Sequence, residues 1–270
     1  MTNNSAVLAK IEHALRSAKP GLPAQLKMMP YPFPDRRSYA EVKGRAFAAE
    51  VKGRAFGSPL ARGLYRRAST AEMDPRAKPG APPAVDPRAK PGAPAAVEDV
   101  CLKAGVMLLL YPRDGSWHLP LILRTNTVMH HKDQIGFPGG QLEPGEDFVQ
   151  AALRETWEEL GVAPKRLRVI GELTPLYIQP SNFCIYPVVA AADGSVAFTP
   201  HPGEVAEIIE VPLVHMMDPR NAREEKWTIR GELLNIPFYA YKDHKIWGAT
   251  AMVLAEFLDI LFFPRPNKIK

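Results

Sequence analysis

Residues 140–162 read GQLEPGEDFVQAALRETWEELGV, and three glutamates crowd into one helical turn near the end of that stretch. Residues 147–160 hold Ala, Leu, Glu and Arg with no Gly or Pro, a composition that favours an α-helix. Gly145 stands before it and Gly161 after it as a C-terminal stop. At about 100° per residue, Val149, Leu153, Thr156, Trp157 and Leu160 share one face, which the pattern predicts to be buried. Glu155, Glu158 and Glu159 fall on another face as i, i+3 and i+4 neighbours. Like charges so spaced repel by a few tenths of a kcal/mol per exposed pair, on the order of 0.3. A hard divalent cation reverses the sign of that interaction, because Mg²⁺ takes oxygen ligands and keeps waters and substrate phosphates around it. The plainer alternative is a solvated acidic face. Two neighbouring features weigh against it. Gly139-Gly140 follow Phe137-Pro138, and paired glycines let backbone approach a ligand closely. Arg154 places a fixed positive charge beside the carboxylates, suited to orienting them.

Residues 140–162 resemble the Nudix box, G-x5-E-x7-R-E-U-x-E-E-x-G-U, where U is apolar. Gly140, Glu146, Arg154, Glu155, Glu158, Glu159, Gly161 and Val162 stand at its fixed positions, and Thr156 replaces one apolar residue. The resemblance implies hydrolysis of a nucleoside diphosphate joined to another group, with Mg²⁺ or Mn²⁺. It also implies the Nudix fold, an α/β domain with a mixed sheet sandwiched between helices. Glu155 and Glu159 are then the expected main metal ligands, since i, i+4 gives a stacked pair. Glu158 follows as ligand, water-mediated contact or catalytic group, and Gly140 joins the metal set through its backbone. Glu146 supports the site and Arg154 orients it. A catalytic base outside the box is expected at Glu204 or Glu207, in what reads as a loop within HPGEVAEIIEVPL.

The preceding run, LPLILRTNTVMHHKDQIGFPGG, resembles the segment before the box in bacterial coenzyme A pyrophosphatases. Leu123-Arg124, His131, Gln134, Phe137, Pro138, Gly139 and Gly140 carry that likeness, while Met129 and Asp133 stand where the branch has a basic residue and a glycine. GELTPLYIQPSNFCIYPVVA, HKIWGATAMVLAEFLDIL and GLPAQLKMMPYPF are similar to the same branch. The implied substrate is coenzyme A or an acyl derivative. Arg124 and His131 are expected at its phosphates and Gly139-Gly140 against it. Other nucleoside diphosphate derivatives, such as ADP-ribose, NADH or a dinucleotide polyphosphate, form the alternative. A catalytically silent Nudix-like binding module is a further one. Relatives in this family often dimerise, so a homodimer belongs among the expected states.

The chain has 270 residues, enough for one well-filled domain or at most two. Seventeen of the 34 lysines and arginines, but only seven of the 29 acids, lie in the first 97 residues. The basic balance therefore belongs to the N-terminal third, and residues 98–270 are net acidic, which argues against nucleic-acid binding by the core. No run of ~18 apolar residues exists, so no membrane span is expected. Cys101 and Cys184 lie in apolar segments without a CxxC or metal-ligand pattern. They read as buried free thiols, which points to a reducing, cytoplasmic setting.

Residues 1–38 predict a short amphipathic helix, with Val7, Leu8, Ile11 and Leu15 at helical spacing, followed by an extended segment packing on the core. Residues 39–98 carry two tandem repeats, AEVKGRAF twice and DPRAKPGAP(P/A)AV twice. Their Pro, Ala and Gly content leaves little to bury, and they read as a disordered insertion. Residues 99–265 form the expected catalytic domain. Strands are predicted at 104–111, 119–124, 166–173 and 183–191, a hairpin at 225–230 and 234–241, and a helix at 246–262 that ends before Pro264.

Overall fold

A computed structural model describes residues 2–16, 19–30, 101–125, 134–229 and 231–262. The readings of residues 39–98, Met129, His131 and Asp133 fall outside these residues. Strand β1 (Leu102–Arg113) is the centre of the molecule. It pairs antiparallel with β2 (Ser116–Arg124) and parallel with β7 (Phe183–Ala192). β3 (Ile135–Gly136) and β5 (Leu167–Glu172) extend the sheet to give the order β3-β2-β1-β7-β5. Off this path, β4 (Gly139–Gln141) pairs with β1, β6 (Leu176–Ile178) with β7, and β8 (Val205–Pro212) with β2.

The run from Met107 to Tyr111 is apolar at every position because both faces of the sheet are covered. Met107, Leu109 and Tyr111 point to one side, where they meet Leu153 and Leu160 of the box helix α3 (Phe148–Leu160). Leu108 and Leu110 point to the other side. There they meet Val253, Leu254 and Phe257 of the C-terminal helix α5 (Gly248–Phe262), and Ile11 and Leu15 of α1 (Thr2–Arg16). The mixed sheet between helices follows from these two apolar faces. A separate three-stranded sheet of β9 (Ala222–Ile229), β10 (Glu232–Tyr241) and β11 (His244–Trp247) packs beside it. Short helices α2 (Leu22–Gln25) and α4 (Leu213–Met216) complete the elements among the described residues, with single 3-10 turns between them.

Glu256 of α5 is fully buried and ties the N-terminal segment to the core. Its carboxylate accepts hydrogen bonds from Gly21 N, Gln25 Nε2, Thr174 N and Thr174 Oγ1. A buried carboxylate is costly unless donors surround it, and four donors do so here.

Three expectations change. Residues 205–212 are strand β8 and not a loop, so Glu207 sits in the sheet while Glu204 stays at its entrance. Residues 244–247 form β11, and the terminal helix starts only at Gly248. Cys101 and Cys184 are joined in a disulfide. The parallel register Leu102↔Phe183 sets the two residues side by side, with Cα atoms 5.7 Å apart across 83 residues of sequence. Such a partnership is made by topology and leaves no local spacing to read. It removes the free thiols from which a reducing compartment was inferred. No helix among the described residues is long and apolar enough to cross a membrane.

Candidate active site

Helix α3 begins with Asp147 as its N-cap, whose side chain accepts from Val149 N and Gln150 N while Gln150 Oε1 accepts from Asp147 N. This reciprocal capping box fixes where the helix starts and hence the phase of its carboxylates. Asp147 and Gln150 stand three apart in the sequence, so the signal was available and was missed. Gly161 closes the helix in the left-handed region at φ 72°. Leu153, Thr156 and Leu160 are buried as expected, whereas Val149 and Trp157 are half-buried. Thr156 fits its apolar position because its hydroxyl donates to the Ala152 carbonyl at 2.6 Å.

Arg154 is the hub of the acidic cluster. Its Nε and Nη2 donate to the two oxygens of Glu146 at 2.8 and 3.1 Å. Its Nη1 donates to Glu155 Oε1 and Glu158 Oε2, both at 2.9 Å. Nη2 also reaches the Gln141 carbonyl at 3.2 Å. One guanidinium thus aligns three carboxylates, as multi-donor Arg geometry allows. Burial pushes the Glu146 carboxyl up, but the hydrogen bonds from Arg154 and from the Glu143 backbone outweigh it, leaving Glu146 below its ordinary range. Burial raises Glu155, against the pull of Arg154.

Glu159 does not fit the plainer alternative of a solvated acidic face. It is fully buried, facing β2 and β4. Its Oε2 accepts from Gly139 N at 2.9 Å. Its Oε1 lies 3.0 Å from Arg124 Nη2 but receives no aligned hydrogen bond, so it has a charge partner and no donor. Burial pushes the Glu159 carboxyl up to about 8, opposed by Arg124 and the Gly139 amide and reinforced by the charges of Glu155 and Glu204. The two glycines serve close packing. A Cβ on Gly140 would lie 2.1 Å from Glu155 Oε1, and one on Gly139 would lie 2.4 Å from the Gly105 carbonyl. Their backbone therefore abuts the box carboxylates and β1.

The structure separates the two base candidates. Glu204 belongs to the loop held to β2 by Thr125 N donating to the Glu204 carbonyl and by Thr125 Oγ1 donating to the Gly203 carbonyl. Its charge acts on Glu159. Glu207 instead faces His244 at 3.3 Å and lines a cleft of about 260 Å³ with Arg113, His118, Glu210 and Lys242. That cleft contains none of the box carboxylates.

A cation fits the residues present in one particular way. Among the described residues no three His, Cys, Asp or Glu side chains stand ready as a metal cluster, since Arg154 spans Glu155 and Glu158 and Arg124 faces Glu159. The donors are all oxygen, Glu159 is buried and Glu155 partly so, and Glu159 Oε1 lacks a donor. Such a set suits a hard cation bound by one or two carboxylates and completed by water and substrate phosphates.

The NUDIX domain model matches residues 102–233. An uncharacterized Nudix hydrolase NudL from Photorhabdus laumondii is 32% identical over 139 residues, covering 51% of this chain and 74% of that protein. The mitochondrial coenzyme A diphosphatase NUDT8 of Homo sapiens is 32% identical over 167 residues, covering 60% of this chain and 66% of that protein, just under two thirds of its length. A MutT/nudix family protein from Enterococcus faecalis superposes with a TM-score of 0.40 at 15% identity over 82% of this chain and 73% of that one. That superposition is too loose to carry weight beside the sequence matches. On those matches, the chain belongs to the Nudix hydrolase family and has its mixed-sheet fold.

Proposed function

We propose that the chain hydrolyses the pyrophosphate of coenzyme A or an acyl derivative, giving 3′,5′-ADP and 4′-phosphopantetheine or its acyl form, with Mg²⁺ or Mn²⁺. The observation that supports this most is the buried Glu159 beside the partly buried Glu155, packed against Gly139-Gly140 with an oxygen of Glu159 lacking a donor. The choice of coenzyme A leans on the segment from Leu119 to Gly140 and on the similarity to the human mitochondrial coenzyme A diphosphatase.

Glu155 and Glu159 would hold the cation, with Glu158 and the Gly140 carbonyl beside them. The ion supplies neutralisation of phosphate charge and acidification of a bound water. Arg154 keeps Glu155, Glu158 and Glu146 in one arrangement, so the site pays little reorganisation during reaction. Glu204 accepts the proton of the attacking water at its carboxylate. The water oxygen bonds to one phosphorus as the bridging P–O bond breaks, and the other phosphate leaves with the bridging oxygen. His131, in the segment before the box, is assigned to the substrate phosphates.

Met129 and Asp133 favour a second reading, in which the substrate is another nucleoside diphosphate derivative. Incubation with coenzyme A, ADP-ribose, NADH and diadenosine polyphosphates, each with Mg²⁺ or Mn²⁺, followed by product separation, distinguishes the readings. Preferential cleavage of coenzyme A is expected. Equal turnover of ADP-ribose would remove the narrower assignment, and no turnover of any would remove the hydrolase.

A further inference from the structure

The geometry points to Arg124 as a positioning residue that holds the Glu159 carboxylate and the Gly139 peptide in place, and not as a contact to substrate phosphate. This rests on the reading of Glu155 and Glu159 as the cation-binding pair. Arg124 is the last residue of β2, where the pairing with β8 shifts register between Leu123 and Arg124. A bulge of this kind re-aims the side chain that follows it. The Arg124 backbone is held by N–H donation to the Gln134 carbonyl at 3.2 Å.

From there the guanidinium closes a three-membered circuit. Nη2 donates to the Gly139 carbonyl at 2.7 Å and lies 3.0 Å from Glu159 Oε1. The same Gly139 residue returns its N–H to Glu159 Oε2 at 2.9 Å. Arg124 therefore fixes both the rotation of the carboxylate and the peptide that carries the other hydrogen bond. Its side chain is 23% exposed and Glu159 is fully buried. Without Arg124, the buried carboxylate keeps one donor and loses its charge partner. Partners that orient a metal-binding side chain contribute through the ligand they hold, with losses of about 10–100-fold in metal affinity or activity when removed.

The test measures Mn²⁺ binding in the absence of substrate, by calorimetry or by the electron paramagnetic resonance of free Mn²⁺. The proteins are the full-length wild type, Arg124→Lys and Arg124→Gln, and kcat and KM for coenzyme A are measured in parallel at saturating Mn²⁺. The expected result is a loss of about 10–100-fold in Mn²⁺ affinity for Arg124→Gln, a lower kcat and a KM near that of wild type. Arg124→Lys should recover part of the affinity, because an ammonium restores the charge on a differently shaped side chain that need not reach both Gly139 and Glu159. Circular dichroism checks folding, and if Arg124→Gln does not fold, the comparison of Arg124→Lys with wild type decides. Mn²⁺ affinity unchanged or tightened in a folded variant, with a raised KM, would overturn the inference and return Arg124 to the substrate. Failure of the wild type itself to bind Mn²⁺ would defeat the underlying cation reading, and the positioning role with it.

Discussion

Glu159 is the residue at which burial and charge conflict most. It is fully buried with its carboxyl pushed up to about 8. Its ordinary value, which the unfolded chain retains, is 4.5. Below about pH 4.5 both states hold the proton and Glu159 costs the fold nothing. As pH rises toward 8 the unfolded chain ionises first, so this group withdraws stability over that window. Metal-free protein with Glu159→Gln should therefore lose less stability than wild type between pH 5 and pH 8, and melt no lower than wild type at pH 8. Thermal melts of both proteins at the two pH values check this. A variant that melts well below wild type at pH 8 would show that the charged carboxylate stabilises the fold. The spacing of Glu155, Glu158 and Glu159 was legible in the sequence because a helical period fixes it. The burial of Glu159 was not, since it depends on β2 and β4 closing over that side of the helix. The same holds for Arg124, whose partner stands 35 positions away and is set by sheet register.

At the scale of elements, periodicity found β1, β2, β5, β7 and α3 with boundaries off by only a few residues. It failed at β8, where the alternating exposure of VAEIIEVP is broken by glutamates that face His244 and Tyr111. It failed again at β11, where Ile246 and Trp247 continue the apolar composition of the following helix. Gly248, at φ 63°, marks the true boundary. The box helix depends on its cap as well as on its apolar face. Asp147→Ala removes the acceptor for Val149 N and Gln150 N and should lower stability by about 1 kcal/mol. Chemical denaturation measures this, and an unchanged midpoint would mean that water replaces the cap without loss. The effect on turnover should exceed the effect on stability, because fraying the first turn loosens Glu146 and Arg154 together.

The whole molecule is held by long-range closures. Glu256 joins the N-terminal segment to the last helix, and the disulfide joins the start of β1 to β7. Closing a loop of this length restricts the unfolded chain, with an expected contribution of about 2–4 kcal/mol. Denaturation with and without reductant should show that loss, and an identical midpoint would contradict the pairing. Neither closure was visible to a local reading, whereas the catalytic family was, because its signature lies within 23 consecutive residues. We propose that these residues form a cation-dependent pyrophosphate site. The most direct measurement is the rate at which wild type and Glu159→Gln, both shown to be folded, cleave coenzyme A with saturating Mn²⁺. Wild type should release 3′,5′-ADP, and the variant should lose about 10²-fold or more in rate. A variant that cleaves at nearly the wild-type rate would contradict the proposal.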